Sequence, residues 1–179
     1  GTLDIFDMAF DSLATVEAVD GSEVIGWPNA GQAGLNFYGQ TYGLDRDGNE
    51  YEFYNPDQAW VSSDPDTDSQ AWKDAVNVRK AMNIAIDRQT IVDELLSGFG
   101  KPQSVRDWMG HEDRANPDWN YEVNPTLAKE MLADAGFPDG FSITLTPSIR
   151  GAPAEVEACE AVAQYWEDIG ISVKVQSVP

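Results

Sequence analysis

With 179 residues the chain has the length of one domain, able to bury about 70% of the surface it exposes when unfolded. Its 31 Asp and Glu against 11 Lys and Arg leave a formal charge of −20, which repels nucleic acid and anionic membrane and excludes both as partners. A single cysteine excludes an intramolecular disulfide, and no apolar run is long enough to insert into a membrane. The acidity itself fits either plain solubility or a salty habitat, where carboxylates are screened and hydrated.

The predicted elements run as follows. A strand is expected at 3–6 and a helix at 10–19, with Leu13, Ala14 and Val16 as its apolar contribution, then strands at 23–27 and 34–38. The stretch from Gly39 to Asp74 is long and acidic. Within it LDRDGNEYEFY reads as a hairpin with Asp47-Gly48 at its tip, DPDTDS (64–69) as a solvated loop, and the whole of 42–68 is expected on the surface. Two helices follow: Val78, Met82, Ala85 and Ile86 share one helical face, Asp87 is a good N-cap, and Ile91, Val92, Leu95 and Leu96 form the next apolar face before Gly98 stops it. After a long loop, a helix begins at Pro125, capped by Asn124 and ended by Gly136. Strand 141–146, a helix from about Pro153 to Ile169 ended by Gly170, and strand 172–178 complete the chain. Strands alternating with helices predict α/β layers around a mixed or mostly parallel sheet. Cys159, on a helical face with Val156, Ala163 and Trp166, reads as a buried small hydrophobe.

Three segments share a wider pattern. VRKAMNIAIDRQTIVDELLSGFGKP (78–102), NPTLAKEMLADAGFPDGFSITLTP (124–147) and EVEACEAVAQYWEDIGISVKVQSV (155–178) stand in an order that, with the opening GTLDIFDM, resembles the family 5 extracellular solute-binding proteins, the peptide, nickel and oligosaccharide receptors of ABC importers. The resemblance implies one lobe of a type II periplasmic-binding-protein-like fold. Residues 1–179 are then a single α/β lobe of a longer two-lobed protein, with an acidic insertion at about 39–74. The start at Gly1, inside a strand-like segment and without a secretion signal, is read in the same way.

Candidate sites are few. Asp64, Asp66 and Asp68 have the spacing of a calcium loop, but Ser69 replaces the turn glycine and Ala75 the closing glutamate, so a plain acidic loop is expected; Asp45, Asp47 and Glu50 are read likewise. His111 is the sole histidine, no second His or Cys cluster completes a transition-metal site, and no nucleophile or phosphate-loop motif stands in the chain. The reading therefore assigns no catalytic residue, no metal and no cofactor.

Arg150, in the loop PSIRGAP between a strand end and a helix start, occupies the place where α/β folds bind ligands, and its guanidinium suits a carboxylate. In the dipeptide-binding branch of the resembled family a matching P-x-x-R loop holds the ligand's carboxylate, which implies ligand roles for Arg150 and Ser148. Phe99, Trp108, Met109 and Tyr38 are the further ligand candidates, since aromatic and Met side chains supply an apolar wall; Trp27 marks another strand end. The resemblance implies a non-enzymatic receptor that closes around a peptide or small solute and docks on an ABC permease, with a periplasmic or extracellular location. The alternatives are a hydrolase-type domain using paired carboxylates and a calcium-dependent structural module.

Overall fold

The computed structural model describes residues 12–25, 33–39, 42–104, 112–119, 121–148 and 154–177. In order the elements are α1 (Leu13–Glu17), α2 (Gln70–Ile84), α3 (Arg88–Leu95), two 3-10 turns (Glu112–Arg114 and Pro117–Trp119), α4 (Pro125–Asp134), β1 (Ser142–Leu145), α5 (Glu155–Asp168) and β2 (Ser172–Val175). β1 and β2 are parallel, with Ser142 opposite Ser172 and Leu145 opposite Val175, and α5 is the crossover between them. α4 packs on α2, and α5 on both β2 and α3. The result is the α/β arrangement expected, with a small parallel sheet flanked by helices.

Local chemistry accounts for the helix ends. Ser69, Asp87 and Asn124 each accept a backbone N–H three residues on, from Trp72, Thr90 and Leu127, and so answer donors that a helix start leaves unpaired. α4 and α5 end alike. Phe137 N–H reaches Leu132 C=O and Ile171 N–H reaches Trp166 C=O across Gly136 and Gly170, both left-handed, and in each pair two apolar side chains meet over the turn. Gly140 has a different task. A Cβ there would stand 1.8 Å from Gly170 O, so a glycine is required where the entries to the two strands approach.

The core gathers Val78, Ala81, Met82, Ala85 and Ile86 of α2 and its exit with Ala128 and Leu132 of α4, and Val162, Trp166, Ile169 and Ile171 around α5. α2 terminates inside this core, which leaves its last carbonyls to be satisfied from elsewhere. Ala81 C=O accepts from Ala85 N–H, Met82 C=O from the Trp166 indole at 2.9 Å, Asn83 C=O from Ile86 N–H and Arg88, and Ile84 C=O from Asn124 N–H at 2.8 Å. Three elements thus converge on one helix end. Among the described residues no buried side-chain polar atom lacks a partner.

Several expectations are corrected. The described helix at the start of the chain spans only Leu13–Glu17; Leu13 is buried, but Ala14 is exposed, and the chain turns away at Ala18 toward the left-handed Gly21. Residues 23–25 and 34–38 do not form strands: Tyr38 C=O accepts the Trp60 indole N–H at 2.6 Å instead of a ladder partner. The expected strand at 3–6 lies outside the described residues. α2 begins at Gln70, inside the stretch read as loop, because Ser69 caps it.

The segment 42–68 is not wholly superficial. Trp60, Val61 and Ser62 are buried, with Trp60 packed against Phe37 and Phe141 at centroid distances of 5.5 and 6.2 Å. The hairpin at Asp47-Gly48 reduces to one antiparallel bridge, Leu44 with Glu50, over a turn in which Asp45 accepts from Asp47 and Asn49 N–H. Those bonds favour the Asp45 carboxylate and hold it below the ordinary range. Residues 64–69 form the solvated loop expected. On α5, Cys159, Ala163 and Trp166 are buried as read, whereas Val156 in the first turn is exposed. Burial, with Glu155 second, pushes the Cys159 thiol up, so it stays protonated.

Candidate ligand-binding face

β1 ends at Leu145, and Gln176 N–H extends its pairing by donating to Leu145 C=O. The chain continues through buried Pro147 to exposed Ser148. Ser148 N–H donates to Glu155 Oε1 at 2.6 Å, so the first residue of α5 clamps the loop that leaves β1. Ala154, the N-cap, is left-handed at φ 57° and offers no side-chain cap, while Glu155 and Glu157 occupy the first turn. The positive end of this helix, expected to favour an outside anion, already faces the chain's own carboxylates. A cationic group is then needed nearby to hold a ligand carboxylate, which is the part Arg150 was read to play; Arg150 lies outside the described residues.

Trp108, Met109, Trp27 and His111 also lie outside them. Tyr38 is anchored through its carbonyl to Trp60, and its ring stands 64% exposed. Trp60 in turn packs on Phe141, at the start of β1, whereas Ser148 lies beyond the end of that strand, which is roughly 13 Å long at the usual rise per residue. The described contacts therefore do not bring Tyr38 and Ser148 together. Phe99 follows the end of α3, its N–H donating to Leu96 C=O, and the residue is 40% exposed.

Two depressions lie away from these residues. One of about 170 Å³ is bordered by Asp57, Val61, Asp74 and Phe137, and one of about 370 Å³ by Pro125, Thr126, Lys129 and Asp168; neither is lined by Ser148, Phe99 or Tyr38. The carboxylates of Asp64 and Asp66 turn back on their own loop: Asp64 Oδ1 accepts Asp66 N–H, and Asp66 Oδ1 accepts Asp68 N–H, both at 2.9 Å. Among the described residues no group of three or more His, Cys, Asp or Glu is placed to hold a metal.

Sequence reading missed the polar contacts made by the arginines of α2 and of the turn that follows it. Arg79 donates to Trp60 C=O and stands over the Trp72 ring at 6.0 Å, and Arg88 donates to the carbonyls of Asn83 and Ile86. Burial pulls both guanidinium groups below their ordinary values. A signal was available for Arg79, which lies between the apolar positions Val78 and Met82 of α2, since charged residues are almost never buried without partners.

A family model described as bacterial extracellular solute-binding proteins, family 5 middle, matches residues 5–179. The chain belongs to this family. Over 107 residues the family 5 chain is 33% identical to the glutathione-binding protein GsiB of Salmonella choleraesuis, covering 59% of the chain and 20% of that protein. Over 117 residues it is 33% identical to the oligopeptide-binding protein AppA of Bacillus subtilis, covering 56% and 21%. The chain thus spans about a fifth of the length of the curated relatives it matches. Among solved structures, HbpA2 from Haemophilus parasuis superposes with a TM-score of 0.50 at 28% identity, over 63% of the chain and 23% of that protein. Among the described residues no helix is long and apolar enough to cross a membrane.

Proposed function

We propose that this family 5 chain is a lobe of the substrate-binding component of an ABC importer, which takes up peptides or similar small solutes by closure of two lobes and delivers them to a membrane permease. The observation that carries the reading is the family match over residues 5–179. Relatives named for glutathione and oligopeptides support a peptide-like solute, and Arg150, read from the sequence, is the candidate partner for its carboxylate. Ser148, Phe99, Trp108, Met109 and Tyr38 are the further candidates for contact. The protein works outside the cytoplasm, in the periplasm or at the cell exterior, and carries out no chemistry on its solute.

Isothermal titration of the full-length protein with glutathione and with a set of tri- and tetrapeptides tests this, together with native mass spectrometry for a co-purified solute. The expected result is binding, with the peptide recovered intact. Hydrolysis of the peptide would overturn the receptor reading in favour of an enzyme using paired carboxylates.

A further inference from the structure

The turn between α2 and α3 carries a hydrogen-bond network that reaches two distant segments. Asn83 uses both ends of its amide: Oδ1 accepts from Arg88 Nη2 at 3.0 Å, and Nδ2 donates to Ser104 C=O at 3.1 Å. Arg88 Nη1 is shared between the carbonyls of Asn83 at 3.0 Å and Ile86 at 3.2 Å. Ser104 then pairs with Tyr121, its Oγ accepting Tyr121 N–H at 3.1 Å and lying 3.4 Å from Tyr121 C=O. Three residues later Asn124 N–H returns to Ile84 C=O.

Ser104 and Tyr121 are seventeen positions apart in the chain, and this hydroxyl holds the two side by side. Closing such a loop costs conformational entropy whether or not it binds anything. Here the closure is made by neutral polar groups that are half-buried and lie at the rim of the core. Removing them takes away little apolar contact but frees the position of two chain segments. Arg88 reinforces the amide through carbonyl oxygens, and no carboxylate is part of the network.

We propose that Asn83 and Ser104 are positioning residues for solute binding: together they fix the neck at Ser104–Tyr121 and thereby set where Phe99–Ser104 and Tyr121–Asn124 stand in the binding lobe. The proposal rests on the receptor reading given above. Asn83 suits this place because a planar amide separates its two functions, the oxygen accepting from the Arg88 guanidinium on one side and the NH2 donating to Ser104 C=O on the other.

The test uses the full-length protein, with the variants Asn83→Ala, Ser104→Ala and Ser104→Thr. Amide hydrogen exchange without solute is expected to show Tyr121 exchanging about tenfold faster in Asn83→Ala, although Asn83 does not touch it, while amides of β1 and β2 keep their wild-type rates. With glutathione as the probe, well below the melting temperature, which the lost bonds should lower by only a few degrees, Asn83→Ala and Ser104→Ala are expected to bind roughly three- to tenfold more weakly, and Ser104→Thr, which keeps the hydroxyl, to bind as wild type. Wild-type exchange at Tyr121 in Asn83→Ala would overturn the coupling. Faster exchange with unaltered affinity would reduce the network to a structural tie and overturn the positioning role. If the wild-type protein binds neither glutathione nor tripeptides, the receptor reading itself fails and the positioning role falls with it, while the exchange result still decides whether Asn83 holds the neck.

Discussion

Trp166→Phe isolates what the buried end of α2 needs from its surroundings. Trp166 is 3% exposed, and its indole N–H is the partner of Met82 C=O at 2.9 Å. That carbonyl has no bond along its own helix, because Ile86 N–H, four residues on, turns to Asn83 C=O instead. Phenylalanine keeps an aromatic ring in the site but leaves the carbonyl unpaired in a place where water is excluded. An orphaned buried acceptor costs about 1–3 kcal/mol. The smaller ring forfeits about 1 kcal/mol more in contact and cavity terms. The sum, about 2–4 kcal/mol, is a large share of the roughly 5–15 kcal/mol that holds an ordinary domain together. Urea unfolding read by circular dichroism should show the midpoint falling by about 1–2 M with the slope unchanged. Trp60→Phe serves as the comparison. It forfeits a similar ring contact of about 1 kcal/mol and also removes an indole bond, to Tyr38 C=O, but Tyr38 stands at the surface and water can take the vacated place, so the expected loss is about 1–2 kcal/mol. If Trp166→Phe lies within about 0.5 kcal/mol of wild type, or costs no more than Trp60→Phe, the α2 end does not depend on the indole and the reasoning fails.

Asp87→Ala should cost about 1 kcal/mol through loss of the α3 cap, measured in the same unfolding assay. Bonds from Thr90 N–H and hydroxyl hold the Asp87 carboxyl below the ordinary value of about 3.9, so its contribution is complete above that value and fades as the pH falls through its lower folded-state value; the gap between wild type and Asp87→Ala should narrow there, and a gap that widens in acid would be wrong for this cause. Gly140→Ala should destabilise by about 3 kcal/mol or more, since φ is 72° and the new Cβ would meet Gly170 O at 1.8 Å, whereas Gly136→Ala, with nothing within 4 Å, should cost only about 1 kcal/mol; equal losses would refute the close-approach argument. Arg150→Ala in the full-length protein should weaken a carboxylate-ended peptide by about 1.5–3 kcal/mol, and Arg150→Lys should restore part of it; titration calorimetry showing normal binding by the alanine variant would remove the carboxylate role.

Elements whose ends are made by local chemistry were legible from the sequence. α3 and α4 begin where Asp87 and Asn124 can cap them, α4 and α5 end at glycines that take left-handed backbone, and the apolar face of α2 is buried residue for residue at Val78, Met82, Ala85 and Ile86. Each of these depends on neighbours within about five positions, a range over which periodicity and capping rules apply. The expected strands at 23–27 and 34–38 fail for the opposite reason. A strand exists only with a partner, and Phe37-Tyr38 finds its partner in the side chain and indole N–H of Trp60, more than twenty positions away.

The same distinction governs the candidate site. Ser148 was read as a ligand candidate from its place in a loop that resembles the family's P-x-x-R loop, yet its clamp by Glu155 and the acidic first turn of α5 change what that end of the helix can attract. The R-x-x-x-N-x-x-x-x-R spacing of Arg79, Asn83 and Arg88 was in plain view as part of a family pattern. Its work is invisible in one dimension because the partners are carbonyls: Trp60 for Arg79, Asn83 and Ile86 for Arg88, Ser104 for Asn83. Every residue carries a carbonyl, so no residue type announces itself as the acceptor. A half-buried arginine in a chain of charge −20 invites the expectation of a carboxylate partner, but pairing two charges at the edge of the core would require desolvating both, whereas the unpaired carbonyls of a buried helix end are already there and need donors. Arg88 and the α2 end therefore solve each other's problem, Arg79 meets the Trp60 carbonyl, and the acidic residues are left to the surface.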